Sequence, residues 1–193
     1  MKVSSGWSKG LKILTPEGLD TRPTRERVRQ AAINMLQPWI TEARVLDLFA
    51  GSGSVGIELV SRGAMGARFV EKNPAALKCL RANAAEAELR AKRQDIALQP
   101  WSVESADVAS FVKTLDQASF DLVWADPPYD LVASFLEGGA SEIPRILSQG
   151  GVFVLESGAE ALESLNGWSS QSNLELIKQR EYGVTLITIW QKN

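Results

Sequence analysis

The chain contains no histidine and only one cysteine, Cys79. Without imidazole there is no His general base, no Ser-His triad and no His-ligated metal, which removes most hydrolase chemistries. A lone cysteine excludes a disulfide framework and a Cys-based zinc site. No apolar run approaches the roughly 20 residues needed to span a bilayer. The N-terminus also lacks an apolar signal segment, so a cytoplasmic protein without a membrane partner is expected. Neither sign of charge is in large excess: 21 Lys/Arg stand against 23 Asp/Glu, a net of −2. The whole chain is therefore no obvious polyanion binder. Its charge is unevenly spread, however. Residues 1–30 carry seven Lys/Arg against three Asp/Glu, a net of +4, and the rest carry 14 against 20, a net of −6. A basic arm on an acidic body fits an electrostatic footprint for phosphate.

What is present reads as one α/β domain. A chain of 193 residues fits a single compact unit. Residues 1–20 read as an irregular or hairpin extension. Thr24 to Gln37 reads as a helix, with Val28, Ala31, Ala32, Met35 and Leu36 at helical spacing and Pro38 after it. A strand over 44–49 leads to a helix from Ser54 to Arg62, stopped by Gly63. A strand over 67–71 follows, then Asn73-Pro74 as N-cap and first helical residue of a helix to about Leu89. Residues 90–95 read as a polar loop, Ile96 to Val103 as a strand and Asp107 to Leu115 as a short helix. Next come a strand ending at Asp126 and a helical stretch from Leu131 to Leu147, broken near Gly138-Gly139. Gly150-Gly151 turns into a strand, Val152 to Glu156. Leu174 to Tyr182 and Val184 to Trp190 read as an antiparallel hairpin. The alternation predicts a doubly wound, mostly parallel, Rossmann-like sheet of seven strands, with residues 1–40 as a basic extension and 41–193 as the main domain. Ligands of such sheets bind at the carboxyl ends of the strands.

Two motifs fall at those ends. Asp126-Pro127-Pro128-Tyr129 follows the apolar strand Phe120 to Ala125. Two prolines without N–H groups hold the chain extended, leaving the Asp126 carboxylate and backbone carbonyls as acceptors. Tyr129 offers a flat face. Together they suit a planar exocyclic amine. The second motif, Gly51-x-Gly53-x-x-Gly56, follows the strand ending at Phe49 and opens a helix. Such a turn lets a nucleotide approach the backbone and meet helix N–H groups. By itself it fits a dinucleotide equally well. Asp47 at the strand end would repel a pyrophosphate and suit a cation, such as the sulfonium and ammonium of S-adenosylmethionine (SAM). Glu71 ends the next strand, where a carboxylate accepts from ribose hydroxyls. Asp47, Glu71, Asp107 and Asp126 thus converge on one rim. Glu58 reads as a helix residue in a structural hydrogen bond, Trp124, Phe120 and Phe49 as core, and Trp7 as packing.

With these residues in place, the chain resembles the class I SAM-dependent methyltransferases. More closely, it resembles the bacterial RsmD family, which methylates the exocyclic N2 of one guanine in 16S ribosomal RNA. Gly6-Trp-Ser-Lys-Gly10 is similar to the family's N-terminal Gly-x-x-Lys-Gly signature, and Thr21-Arg-Pro-Thr24 with Arg27-Val28-Arg29 to its Arg-Pro-Thr helix start. Asp47 to Gly53, with Gly56 and Glu58, looks like its SAM loop; Ser61 to Ala64 continues the likeness, and Asp126 to Tyr129 looks like its catalytic tetrapeptide. The resemblance implies SAM held by Asp47, Phe49, Ala50, Gly51, Ser52, Gly53, Glu71, Lys72, Asp107 and Asp126. Glu104 competes with Asp107 for the adenine, since 93–101 does not follow the pattern. It implies catalysis by Asp126, Pro127 and Tyr129, without a metal. Contact with 16S rRNA in the assembled small subunit would fall to Lys9, Arg22, Thr24, Arg25, Arg29, Pro128 and Tyr129. Three functions stay open: guanine-N2 methylation, adenine-N6 methylation of RNA or DNA, and a catalytically idle SAM- and RNA-binding module.

Overall fold

The computed structural model of the protein describes residues 1–16, 23–99 and 101–193. Among them a single seven-stranded sheet runs through the molecule in the order β3-β2-β1-β4-β5-β7-β6. The strands are β1 (Arg44–Leu48), β2 (Gly66–Glu71), β3 (Ser102–Ser105), β4 (Phe120–Ala125), β5 (Leu147–Gly158), β6 (Glu175–Tyr182) and β7 (Thr185–Gln191). The first five are parallel, and the β6–β7 hairpin closes the edge antiparallel to β5. The expected mostly parallel, Rossmann-like sheet with a C-terminal antiparallel hairpin is what forms. No helix among the described residues is long and apolar enough to cross a membrane.

The helices are α1 (Pro23–Met35), α2 (Gln37–Ile40), α3 (Ser54–Ser61), α4 (Pro74–Arg93), α5 (Val108–Phe111), α6 (Val132–Glu137), α7 (Ile143–Ile146) and α8 (Leu162–Gln171). Alternation along the strands sorts the apolar side chains to two faces. Val45, Phe69, Trp124 and Val154 face a cluster that takes Ala32 and Ile33 of α1, Leu36 just after it, Ile57 of α3 and Leu80 of α4. Leu46, Val70, Val123 and Phe153 face the other, with Val112, Phe135, Ile143 and Leu165. The result is a three-layer sandwich with a core on each side of the sheet.

The N-terminal segment belongs to the first core. Lys2 and Lys12 bridge antiparallel, and Val3 N–H donates to Leu11 O at 2.9 Å, making a short hairpin. Its Val3, Leu11 and Ile13 are buried in the same cluster as Val45 and Trp124, while Lys2, Lys9 and Lys12 stay exposed. Gly6 sits against α3 at φ 76°, where a Cβ would fall 1.7 Å from Ser61 O. Trp7 Nε1 donates to Val60 O at 3.0 Å, and Ser8 N to Ser61 Oγ at 2.9 Å. The Gly-x-x-Lys-Gly stretch is thus a docking device for the hairpin, with Lys9 left outward.

Several elements differ from expectation. α4 runs to Arg93 rather than stopping near Leu89, because Ala91 is buried and the basic last turn suits the helix carboxyl end. Arg90 Nη2 also reaches Lys9 O at 3.1 Å. β3 begins at Ser102, so Ile96 to Gln99 is connection rather than strand. Gly150-Gly151 lies within β5 as a bulge, not ahead of it. The partner of Phe120 is Leu147 and that of Leu122 is Val152, and Gly150 supplies φ 76°. Finally, α8 forms over residues the sequence left unassigned.

Candidate active site

Strand register builds the site. Leu48 pairs with Val70 and Ala125, and Ala125 with Leu155. One residue further along each strand stand Phe49, Glu71, Asp126 and Glu156, so three carboxylates and an aromatic form one row across four neighbouring strands. Phe49 takes φ 57°, a left-handed conformation that a bulky residue seldom adopts, at the point where β1 turns into the glycine loop. Its ring is held edge-on by Phe135 at 5.2 Å.

Two hollows open onto this row and share Phe49, Asp126 and Glu156. The smaller, about 230 Å³, is walled by Asp47, the loop residues Ala50, Gly51 and Ser52, and by Arg29 from α1; Met1, Thr15 and Pro16 close it from the N-terminal segment. The larger, about 690 Å³, is walled by Glu71, Lys72, Asn73 and Val108 on one side and by Asp126, Pro127, Pro128 and Tyr129 on the other. The two expected motifs therefore meet at Asp126.

Within the loop, Asp47 is 1 % exposed and its Oδ2 accepts from Gly56 N at 2.9 Å. Burial is the main cause that pushes its carboxyl up to about 8, opposed by the Gly56 bond and reinforced by the charges of Asp126 and Glu71. Burial thus biases Asp47 toward its protonated form at neutral pH, where the sequence suggests a standing anion. Glu71 ties the loop down: one oxygen accepts from Gly51 N at 2.8 Å, the other from Lys72 N at 2.8 Å and Asn73 N at 2.7 Å. A Cβ on Gly56 would lie 2.4 Å from the Phe69 ring, and one on Gly53 2.3 Å from Leu80 Cδ1. Those two glycines serve packing. Only Gly51, with a φ of 55° and open space where a Cβ would stand, leaves its face free for a ligand.

The remaining residues fall as follows. Asp107 caps α5 by accepting from Ser110 N at 3.3 Å and pairs with Lys72 at 3.4 Å beside the larger hollow, whereas Glu104 is drawn away to Arg68 at 3.1 Å. Pro127 is buried, and the Tyr129 hydroxyl meets Thr185 Oγ1 at 3.1 Å, which anchors its ring to β7. Glu58 is structural: it accepts from Ser4 and binds Arg62 at 2.9 Å. Lys9 is exposed and lines neither hollow. Arg22 and the side chains of Thr24 and Arg25 lie outside the described residues. The Arg29 side chain is only 12 % exposed and points inward. Burial lowers its pKa, and Glu26, Glu58, Glu156 and Asp126 oppose that shift. Sequence reading missed Glu156, 9 % exposed and common to both hollows. Its signal was there, a carboxylate at the end of the apolar run Val152 to Leu155, the same rule that picked out Glu71 and Asp126.

Comparison with known proteins places this arrangement. The chain is 30% identical over 193 residues to "Putative rRNA methyltransferase YlbH" of Bacillus subtilis, covering 100% of this chain and 99% of that protein. It is 33% identical over 129 residues to "Ribosomal RNA small subunit methyltransferase D" of Escherichia coli, covering 67% of this chain and 60% of that one. Among solved structures, "Putative methyltransferase yhhF from Escherichia coli" superposes with a TM-score of 0.79 at 27% identity, covering 100% of this chain and 98% of that one. Residues 1–191 match the family described as "Conserved hypothetical protein 95". The chain belongs to that family, the RsmD family.

Proposed function

We propose that the protein transfers a methyl group from SAM to the exocyclic N2 amine of a guanine in 16S ribosomal RNA. The observation that carries this reading is the meeting of the two hollows at Asp126. A ligand on the glycine loop and a base against Pro127, Pro128 and Tyr129 would touch there. The walls of the smaller hollow fit a cationic ligand, since Glu26, Asp126 and Glu156 outnumber Arg29 even with Asp47 protonated. SAM, when bound, supplies a methyl group on a positively charged sulfur. The names of the relatives, rRNA methyltransferases, support the RNA substrate.

The chain's own residues would act by position and charge. A guanine N2 lone pair is delocalised into the ring and is a poor nucleophile. The Asp126 carboxylate and the Pro127 carbonyl accept its two hydrogens, which draws the nitrogen toward a tetrahedral shape and aims its lone pair along the line of attack. The same carboxylate stabilises the positive charge that develops on nitrogen. Tyr129, tethered through Thr185, stacks on the base. A base inside a helix does not reach this row, so the target guanine is flipped or unpaired when it enters. Glu71 and Asp107 are the proposed partners of the ribose and adenine. Residues 1–40 are proposed as the RNA-contacting part, and the assembled small subunit as substrate.

The test is transfer of labelled methyl to unmodified small subunits and to protein-free 16S rRNA, with mass analysis of the nucleosides. N2-methylguanine is expected from the particle, falling by about 100-fold or more with Asp126→Ala. N6-methyladenine instead would move the substrate to adenine. SAM binding without transfer would favour the idle-module reading, and equal modification of both RNAs would remove the preference for the particle.

A further inference from the structure

We propose that Arg29 binds the carboxylate of the amino-acid tail of SAM, and so is a cofactor-binding residue rather than an RNA contact; this rests on the function proposed above. Arg29 lies on α1, in the basic stretch that the charge count assigns to RNA, yet its side chain is turned into the smaller hollow. A guanidinium 12 % exposed inside a hollow of about 230 Å³ is out of reach of a phosphate backbone.

The group is held but not satisfied. Nη1 donates to Ser54 Oγ at 3.0 Å at the start of α3 and lies against Met1 Sδ. The contact of Nη2 with Glu26 is long, 3.9 Å. Nε is buried with no hydrogen-bond partner among the described residues. An orphaned buried donor is costly until an acceptor pairs with it. The planar fork of a guanidinium matches a carboxylate with two parallel bonds.

Three of the loop's backbone donors are already occupied. Gly51 N donates to Glu71, Gly53 N to Ala50 O and Gly56 N to Asp47. Among the described residues lining the hollow, Arg29 has the one cationic side chain, facing Glu26, Asp47, Asp126 and Glu156. A tail bearing an ammonium and a carboxylate has both needs met there: acids for the ammonium and Arg29 for the carboxylate.

The test measures binding by calorimetry for two probes, S-adenosylhomocysteine and 5′-methylthioadenosine, which lacks the amino-acid tail. With Arg29→Met, S-adenosylhomocysteine is expected to weaken by about 10- to 100-fold, as for loss of charge-assisted hydrogen bonds, while methylthioadenosine changes by less than about 2-fold. Arg29→Lys, which keeps the charge and the volume near Ser54, is expected to fall between and serves if the Met variant does not fold. Equal weakening of both probes, or of neither, overturns the inference and leaves the proposed function standing. A parent protein that binds neither probe overturns both.

Discussion

Asp47 is the residue where sequence and structure differ most in chemical meaning. Its position beside the glycine loop was legible, but its ionisation was not, because burial depends on Phe69, Trp124 and the rest of the core closing around the strand. The consequence is a stability that depends on pH. A carboxyl of about 8 in the fold, against 3.8 for the ordinary group, binds more protons folded than unfolded across that window. Stability then falls as pH rises from about 4 toward 8, the reverse of a salt-bridged carboxylate. Asp47→Asn retains an acceptor for Gly56 N–H and has no proton to lose. In the ligand-free protein, thermal melting of the Asn variant should match or trail the parent at pH 5 and gain on it steadily up to pH 8. A constant difference across that range would mean Asp47 is ionised throughout. Glu156 shows the complementary lesson. The strand-end rule reached it, but only the register, which puts it in line with Asp126 and Glu71, gives it a place in the site.

Elements were legible where local chemistry set them. Asn73 caps α4 by accepting from Ala75 N and Ala76 N, with Pro74 next, as read. Gly183 with φ 64° turns the last hairpin. Elements set by distant packing were not. α8 contains Gly167 and two adjacent serines, poor helix formers, and it forms because Leu165 is buried and Trp168 packs on Phe153 and Trp190 at 5.4 and 5.1 Å. The joint between elements at the site is likewise invisible in sequence. Asn83 of α4, 2 % exposed, accepts from Leu14 N at 2.8 Å and donates to Leu14 O and to Ser52 O, both at 2.9 Å. One amide thus ties the N-terminal segment to the glycine loop. Asn83→Ala leaves three backbone groups without this partner, the Ser52 carbonyl among them buried, and should destabilise the protein by about 1–3 kcal/mol in urea unfolding. It should also speed hydrogen exchange at the Leu14 amide. An unchanged midpoint and exchange rate would show that water replaces the amide at no loss.

At the scale of the whole molecule, the charge asymmetry acquires a shape. The basic N-terminal count divides into two populations with different fates. Arg29 is turned inward, while Lys2, Lys9 and Lys12 stand exposed on a hairpin whose alternate residues Val3, Leu11 and Ile13 are in the core. Along the hairpin, strand periodicity sends Lys2 and Lys12 to the face opposite Val3, Leu11 and Ile13. The hairpin is fixed to α3 through Gly6, Trp7 and Ser8, so its lysines are presented on a rigid support rather than on a loose tail. Such a patch would contribute salt-dependent affinity without sequence preference, each phosphate contact adding about 0.7–0.9 to the slope of log K against log salt. Replacing Lys2, Lys9 and Lys12 together by Gln should therefore flatten that slope for 16S rRNA by up to about 2–3. The melting temperature and the affinity for S-adenosylhomocysteine should stay near those of the parent, because none of the three side chains is buried or lines either hollow. A slope left unchanged would place the RNA on another face. A slope that flattened only together with a loss of S-adenosylhomocysteine binding would mean that the hairpin acts by closing the smaller hollow through Met1 and Thr15, not by meeting phosphate.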